Sequence, residues 1–308
     1  MEIYHLLISF LTTFLFIKTF IPFLEKYFPD KPNKRGMHQK TKPTSGGISF
    51  VFIYSLMAIY QGFYLPLFSI PLTIVGLLDD KYNIPRFIRL FIQILTTAFI
   101  LIFFGENILN LFSELISNRF ITFMIFLLIG TSIINFVNFM DGIDGLVCGT
   151  MIVVFITINS EFHYLLPFIG ALSAFIVFNW QPSKLFMGDS GSLFIGSYLA
   201  SLNFTATNEI IFYKNLLLCS PLFLDCITTI IRRLKNKQNI FSPHKLHLYQ
   251  RLVSSGMSHS KVSLIYISSV SILGLIYSLY NIEMLVFSAL IIFLLGLLLE
   301  KKYAINFN

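Results

Sequence analysis

Apolar segments long enough to cross a bilayer, about 17–25 residues each, recur along the whole of this 308-residue chain. In lipid, every backbone N–H and C=O must be satisfied internally, which leaves a helix bundle or a closed barrel. The segments are continuous and do not alternate with a period of two. The expected fold is therefore all-α: a polytopic membrane helix bundle of about 10–11 transmembrane helices, forming a single integral-membrane domain over residues 1–308. Spans are expected at roughly 3–24, 46–61, 64–78, 88–104, 120–137, 145–160, 164–179, 191–206, 211–231, 261–280 and 283–299. Composition agrees, with 56% hydrophobic and 12% charged residues, which is far from a soluble globular chain. The first segment, Leu6 to Leu24, reads as a retained helix: Glu2 precedes it without a basic residue, and no small-x-small cleavage site follows. Cys148, Cys219 and Cys226 fit neither zinc spacing nor a disulfide framework and read as small packing residues.

A net charge of +7 raises nucleic acid as a partner, but the distribution of that charge argues against it. Basic residues gather in alternate connections: Lys31, Lys34, Arg35, Lys40 and Lys42 in 25–45, Lys81 in 79–87, and Arg232, Arg233, Lys235 and Lys237 in 232–260. The intervening connections are short and carry little beyond Arg119 and Lys214. By the positive-inside rule the basic loops are cytoplasmic, the N-terminus is outside, and the C-terminus, with Lys301 and Lys302, is inside. The chain is thus expected to be a multi-pass membrane protein.

The same loops hold the unusual polar clusters: "KPTSGG" (42–47), "LLDDKYNIPRFIR" (77–89), "NFVNFMDGIDGL" (135–146), "LFMGDSGSL" (185–193) and "SPHKLHLYQRL" (242–252). Their confinement to one face points to one shared, cytoplasm-facing site. Asp79 and Asp80 are adjacent carboxylates that repel at neutral pH, which favours a cationic partner or a raised pKa. Lys81, Arg86 and Arg89 supply nearby positive charge. In "NFMDGIDGL" and "FMGDSGS" an Asp stands beside Gly, so a hard oxygen donor meets a backbone that a ligand can approach closely. Mg²⁺ is usually held by one or two carboxylates plus substrate phosphates, which suits such scattered carboxylates. Ser190, Gly191 and Ser192 open a new apolar run and offer amides near a helix N-terminus. His244 and His247, with Lys245 and Arg251, suit contact with a diphosphate better than a metal. Each motif alone also suits a capped turn. Together they describe an acidic, Mg²⁺-dependent phosphoryl-transfer site at the membrane surface, with a lipid as one reactant.

This set of motifs, in this order, resembles the polyprenyl-phosphate N-acetylhexosamine-1-phosphate transferase family (glycosyltransferase family 4). The resemblance runs from about Arg35 to Arg251. It implies a phosphotransferase that moves N-acetylhexosamine-1-phosphate from a UDP-sugar to undecaprenyl phosphate and releases UMP, with Mg²⁺ or Mn²⁺ required. It further implies that Asp79 and Asp80 are the catalytic acidic pair that handles the lipid phosphate. Asn138 and Asp189 match the groups that meet the metal, and Asp144 matches a contact to uracil, with Asp141 in the same motif. Arg89 falls where a basic residue approaches the phosphates; Lys42, His244, His247 and Arg251 complete the implied substrate-binding set. The expected partners are undecaprenyl phosphate and a UDP-N-acetylhexosamine, as the resemblance implies, with the lipid bilayer and a second copy in a homodimer, and not nucleic acid.

The last loop departs from the phospho-MurNAc-pentapeptide translocase branch, which carries adjacent histidines there. "HxxHxYQxL" is more similar to the branch that initiates O-antigen, and hence lipopolysaccharide, synthesis. An alternative within the family is a UDP-N-acetylglucosamine transferase for enterobacterial common antigen or teichoic acid linkage. An ion-coupled secondary transporter would need polar residues near mid-span or an internal repeat, and the chain has neither.

Overall fold

A computed structural model of the chain describes residues 2–30, 41–160, 163–240, 242 and 244–307. The basic residues Lys31, Lys34, Arg35 and Lys40 lie outside the described residues. Helices occupy all eleven expected positions. The first is α1 (Glu2–Tyr27), followed by α2 (Gly47–Tyr60), then a 3-10 turn (Leu65–Ser69) leading into α3 (Ile70–Tyr82). Next come α4 (Arg86–Phe104), α5 (Glu106–Ile116), α6 (Arg119–Met140), α7 (Leu146–Ile158) and α8 (Leu166–Asn179). The second half comprises α9 (Asp189–Phe204), α10 (Glu209–Leu218), α11 (Ser220–Lys235), α12 (Leu248–Ser254), α13 (His259–Leu279) and α14 (Ile282–Tyr303).

Five of these, α1, α4, α6, α13 and α14, are long and apolar enough to cross a membrane alone, and α2, α7 and α8 are shorter apolar helices. The expected span at 211–231 is two helices, α10 and α11, meeting at 72°. Pro221 stands in the first turn of α11, where its missing N–H costs nothing but the preceding helix cannot continue. Two helices were not expected. In α5, Ile108, Leu109 and Phe112 are buried while Glu106, Asn107, Asn110 and Glu114 face outward, so it packs one apolar stripe on the bundle. The other is α12, in the last basic loop. A two-residue antiparallel pair, β1 (Pro29–Asp30) and β2 (Lys42–Pro43), folds the first loop back on itself. Leucines 290, 294 and 298 of α14 and 11 and 15 of α1 are exposed, as a lipid-facing surface requires.

The centre is α9, buried from Ser190 to Phe204 and contacted by α2, α3, α4 and α6. Its small residues let backbones approach closely, the usual basis of helix packing in membranes. Gly76 of α3 shows how tight the junction is: a Cβ there would lie 2.4 Å from the backbone carbon of Asp189.

Most of the polar residues of interest lie at helix ends. Asn83, with left-handed φ of 50°, stops α3 just after Asp79 and Asp80, and Pro85 starts α4 just before Arg89. Asn138 is in the last turn of α6, Asp141 caps its end, and Asp189 is the first residue of α9.

Because the clash at Gly76 is with backbone, which cannot swing away, Gly76→Ala is expected to cost about 1–3 kcal/mol. It should lower the melting temperature by several degrees in detergent, followed by size-exclusion chromatography after heating. An unchanged melting temperature would show that α3 and α9 separate freely.

Candidate active site

Four of the five sequence clusters meet at one end of the bundle, joined by side-chain bonds between residues far apart in the chain. Asp80 Oδ2 accepts from Ser45 Oγ at 2.7 Å and from the Ser190 amide at 3.4 Å. Its Oδ1 accepts from the Asp189 amide at 2.9 Å. Asp80 thus caps the start of α9, where the first amides of a helix have no partner of their own and attract negative charge. Asp189 Oδ1 accepts from Asn138 Nδ2 at 2.9 Å, and Asn138 Nδ2 also donates to Ser192 Oγ at 2.9 Å. Arg89 Nη1 donates to Asp79 Oδ2 at 2.7 Å and pairs with Asp189 Oδ2, so one guanidinium joins two carboxylates. The carboxylate of Asp141 has no hydrogen bond or ion pair among the described residues.

Negative charge exceeds positive charge in this group, and the titration behaviour reflects that. Burial, reinforced by Asp189, pushes Asp79 up to about 6 against the opposing pull of Arg89. Burial and Asp189 likewise push Asp80 up to about 7, although Ser45 and the α9 amides oppose the rise. Asp141 is held well above the usual carboxylate range by burial and then by Asp189, Asp80 and Asp144. The donors are hard oxygens, suited to Mg²⁺ rather than a soft metal. Among the described residues, no three His, Cys, Asp or Glu side chains form a complete metal cage. A divalent ion would therefore need a few protein oxygens plus those of a ligand, which is the usual Mg²⁺ arrangement.

A second group adjoins the first. Asp144 is only 4% exposed; it accepts from Ser183 N at 3.1 Å and Ser183 Oγ at 2.9 Å, with His259 Nδ1 3.4 Å away. Burial works against its charge, but His259 and Ser183 outweigh it and hold the carboxyl below its ordinary range. Lys42 Nζ donates to Ser183 Oγ at 2.8 Å, lies 3.9 Å from Asp144 Oδ2 and sits 5.0 Å from the centre of the Phe186 ring. Lys42 and Asp144 are thus brought together. Ser45, Ser183 and His259 were not singled out by sequence reasoning, although Ser45 stands inside "KPTSGG".

Two expectations change. The glycines of "DGIDGL" are expected to let a ligand approach the backbone closely, yet protein side chains already make that approach. A Cβ at Gly142 would fall 2.1 Å from Tyr249 Oη. Gly145, at φ of +76°, would place a Cβ 2.5 Å from the Trp180 ring. Arg251, expected to bind substrate, is 3% exposed and faces the protein. It pairs with Glu300 of α14, donates to Ile305 O at 2.9 Å and to Leu246 O at 3.2 Å, and so ties α12 to the last helix.

The two histidines of that loop differ. His247 is buried, its Nδ1 3.5 Å from Asp225 Oδ1. His244 is half-buried, its ring 5.0 Å from that of His247, and burial plus the neighbouring His247 and Arg233 lower its pKa to about 4. It is neutral at pH 7.

Comparison with known proteins gives the same direction. Residues 62–207 match the family described as Glycosyl transferase family 4. The probable undecaprenyl-phosphate N-acetylglucosaminyl 1-phosphate transferase of Bacillus subtilis is 29% identical over 276 residues, covering 81% of this chain and 75% of that protein. The undecaprenyl-phosphate alpha-N-acetylglucosaminyl 1-phosphate transferase of Thermotoga maritima is 28% identical over 232 residues, 73% of this chain and 74% of that protein. The phospho-N-acetylmuramoyl-pentapeptide-transferase of Streptococcus mutans is 32% identical over 248 residues, 66% of this chain and 72% of that protein. With motifs, membrane helices and relatives in agreement, the chain belongs to glycosyl transferase family 4, the polyprenyl-phosphate N-acetylhexosamine-1-phosphate transferases.

Proposed function

We propose that the protein transfers N-acetylhexosamine-1-phosphate from a UDP-N-acetylhexosamine to undecaprenyl phosphate, at the cytoplasmic face of a bacterial inner membrane. The observation that supports this reading is the meeting of Asp79, Asp80, Asn138, Asp189 and Arg89 at one end of a bundle of membrane helices. An oxygen of the lipid phosphate attacks the sugar-bearing phosphorus of the donor. The bond from that phosphorus to the bridging oxygen breaks, and UMP leaves with the bridging oxygen and its electron pair.

Such transfers rest on positioning and on neutralising charge over the phosphate oxygens. Asn138 and Asp189 would hold Mg²⁺ or Mn²⁺, which supplies most of that neutralisation when bound. Arg89, already between Asp79 and Asp189, turns to the phosphates as they arrive. The acidic pair divides its work. Asp80 has both oxygens engaged by Ser45 and the start of α9, and so anchors Asp189. Asp79, with its raised pKa, is suited to take a proton from the lipid phosphate. Lys42 and Asp144 serve the nucleoside end, and His244 and His247 border the diphosphate.

The last loop supports initiation of O-antigen and lipopolysaccharide synthesis. The names of the Bacillus and Thermotoga relatives favour N-acetylglucosamine as the sugar, as in enterobacterial common antigen or teichoic acid linkage.

Purified protein given undecaprenyl phosphate, Mg²⁺ and labelled UDP-N-acetyl sugars should move label to lipid and release UMP. Release of UDP instead would sink the phosphosugar mechanism, and the panel of sugars identifies the donor. Asp189→Asn should lower kcat by about 10²-fold or more while the melting temperature holds; near-normal turnover would remove Asp189 from the metal site.

A pH effect follows from the raised carboxyls. Between about pH 4 and the folded values near 6 and 7, the folded state binds more protons than the unfolded one, so stability falls as pH rises. EDTA-treated protein should therefore melt lower at pH 8 than at pH 5, and Mg²⁺ should raise the melting temperature at pH 8 more than at pH 5. Equal melting at the two pH values, with no Mg²⁺ response, would contradict this.

A further inference from the structure

Asp225 lies in α11, is 6% exposed, and takes no part in the carboxylate group described above. Its carboxylate nevertheless has an unusual number of donors. Oδ1 accepts from the Leu248 amide at 2.8 Å and Thr229 Oγ1 at 3.3 Å, and Oδ2 accepts from Tyr266 Oη at 2.7 Å and the Tyr249 amide at 3.3 Å. His247 Nδ1 lies 3.5 Å from Oδ1. Leu248 and Tyr249 are the first two residues of α12. An acceptor for the first free amides of a helix normally comes from the residue just before it. Here it comes from 23 residues earlier, on another helix.

From this seat the geometry leads directly to the candidate active site. Tyr249 Oη donates to Phe139 O at 2.9 Å, and Gly142 leaves the space that Tyr249 fills. Phe139 is next to Asn138, and Gly142 is next to Asp141. Tyr249 and Leu252 of α12 pack into the core, with Leu248 and Val253 against it, but one side of the helix is open. A cavity of about 470 Å³ opens between α11, α13 and α14, and Asp225, Leu248, Arg251 and Tyr266 border it. On that open side the placement of α12 rests on polar anchors: Asp225 at its start, the His247 amide bonded to Gln250 Oε1, and the Arg251–Glu300 pair further along.

We infer that Asp225 is a positioning residue for the transfer reaction: it seats α12, and through Tyr249 it sets the 138–144 turn and the His244–His247 segment against the same donor molecule. The inference rests on the function proposed above. A carboxylate that served stability alone would change melting when altered, and would leave the donor and the lipid acceptor equally affected.

The test uses the full-length protein and two readouts, hydrogen exchange without substrate and steady-state kinetics. Asp225→Asn keeps one acceptor oxygen and loses the charge. Exchange at the Leu248 and Tyr249 amides should quicken about tenfold, the scale of one lost bond to a charged acceptor, with α6 unchanged. The KM for the UDP-sugar should rise about tenfold while that for undecaprenyl phosphate stays within about twofold. In a Tyr249→Phe background Asp225→Asn should raise donor KM far less than in the wild type, since both changes break one chain of contacts. Exchange and donor KM both within about twofold of wild type would overturn the inference, as would an equal rise in both KM values. Should Asp225→Asn fail to fold, Tyr266→Phe decides. It removes one donor from the same carboxylate and should shift both readouts in the same direction by about two- to threefold; no shift overturns the inference. Wild-type protein that transfers nothing from any UDP-sugar sinks the proposed function, and the exchange arm still decides whether Asp225 seats α12.

Discussion

The bonds that Asp80 accepts hold the polar end of this bundle together. Ser45 from the first loop and the amides that open α9 all donate to that one carboxylate. Because a helix start carries partial positive charge, the negative side chain and the helix stabilise each other. Asp189 is fixed as a consequence, and from there Asn138 and Arg89 are placed. The backbone can close this far only because Gly76 carries no side chain. A single acid–amide contact thus orders four helices and a loop.

The same arrangement is electrostatically costly. Burial first, and then the neighbouring carboxylates, raise the proton affinity of Asp79, Asp80 and Asp141. Arg89, between Asp79 and Asp189, relieves only part of the repulsion. A site built this way gains most from a ligand that brings a cation, and a nucleotide diphosphate with its divalent ion is such a ligand. Asp144 stands apart: Ser183, His259 and Lys42 meet its charge within the fold. The two carboxylates of one short turn therefore have opposite tendencies, one seeking a proton or cation and one already satisfied.

Much of this could be read from residue order. Eleven apolar segments stand out because lipid imposes a length and forbids interruption, and each became a helix or a bent pair. That Asp79, Asn138 and Asp189 belong to one site followed from loops that alternate in charge. The rest required distances. Helix α5 hides in a short connection because its stripe of Ile108, Leu109 and Phe112 is too narrow to resemble a span. The glycines of "DGIDGL" signalled close approach correctly, but not that Tyr249 and Trp180 make it. Arg251 looked like a phosphate ligand until Glu300, far along the chain, claimed it. Asp225 gave no local sign, since every hydrogen-bond partner of its carboxylate but Thr229 lies 23 or more residues later and on another helix.

The last helix carries no motif and faces lipid along much of its length. Yet Glu300, near its end, is the shared counter-ion of Arg232 on α11 and Arg251 on α12, and Phe307 lies against both guanidinium groups. The segment bearing His244 and His247 is therefore mechanically continuous with the outer wall of the protein. A shift of the last helix thus reaches the histidine loop through the Glu300 ion pairs, without passing through Asp79, Asp80 or Asp189.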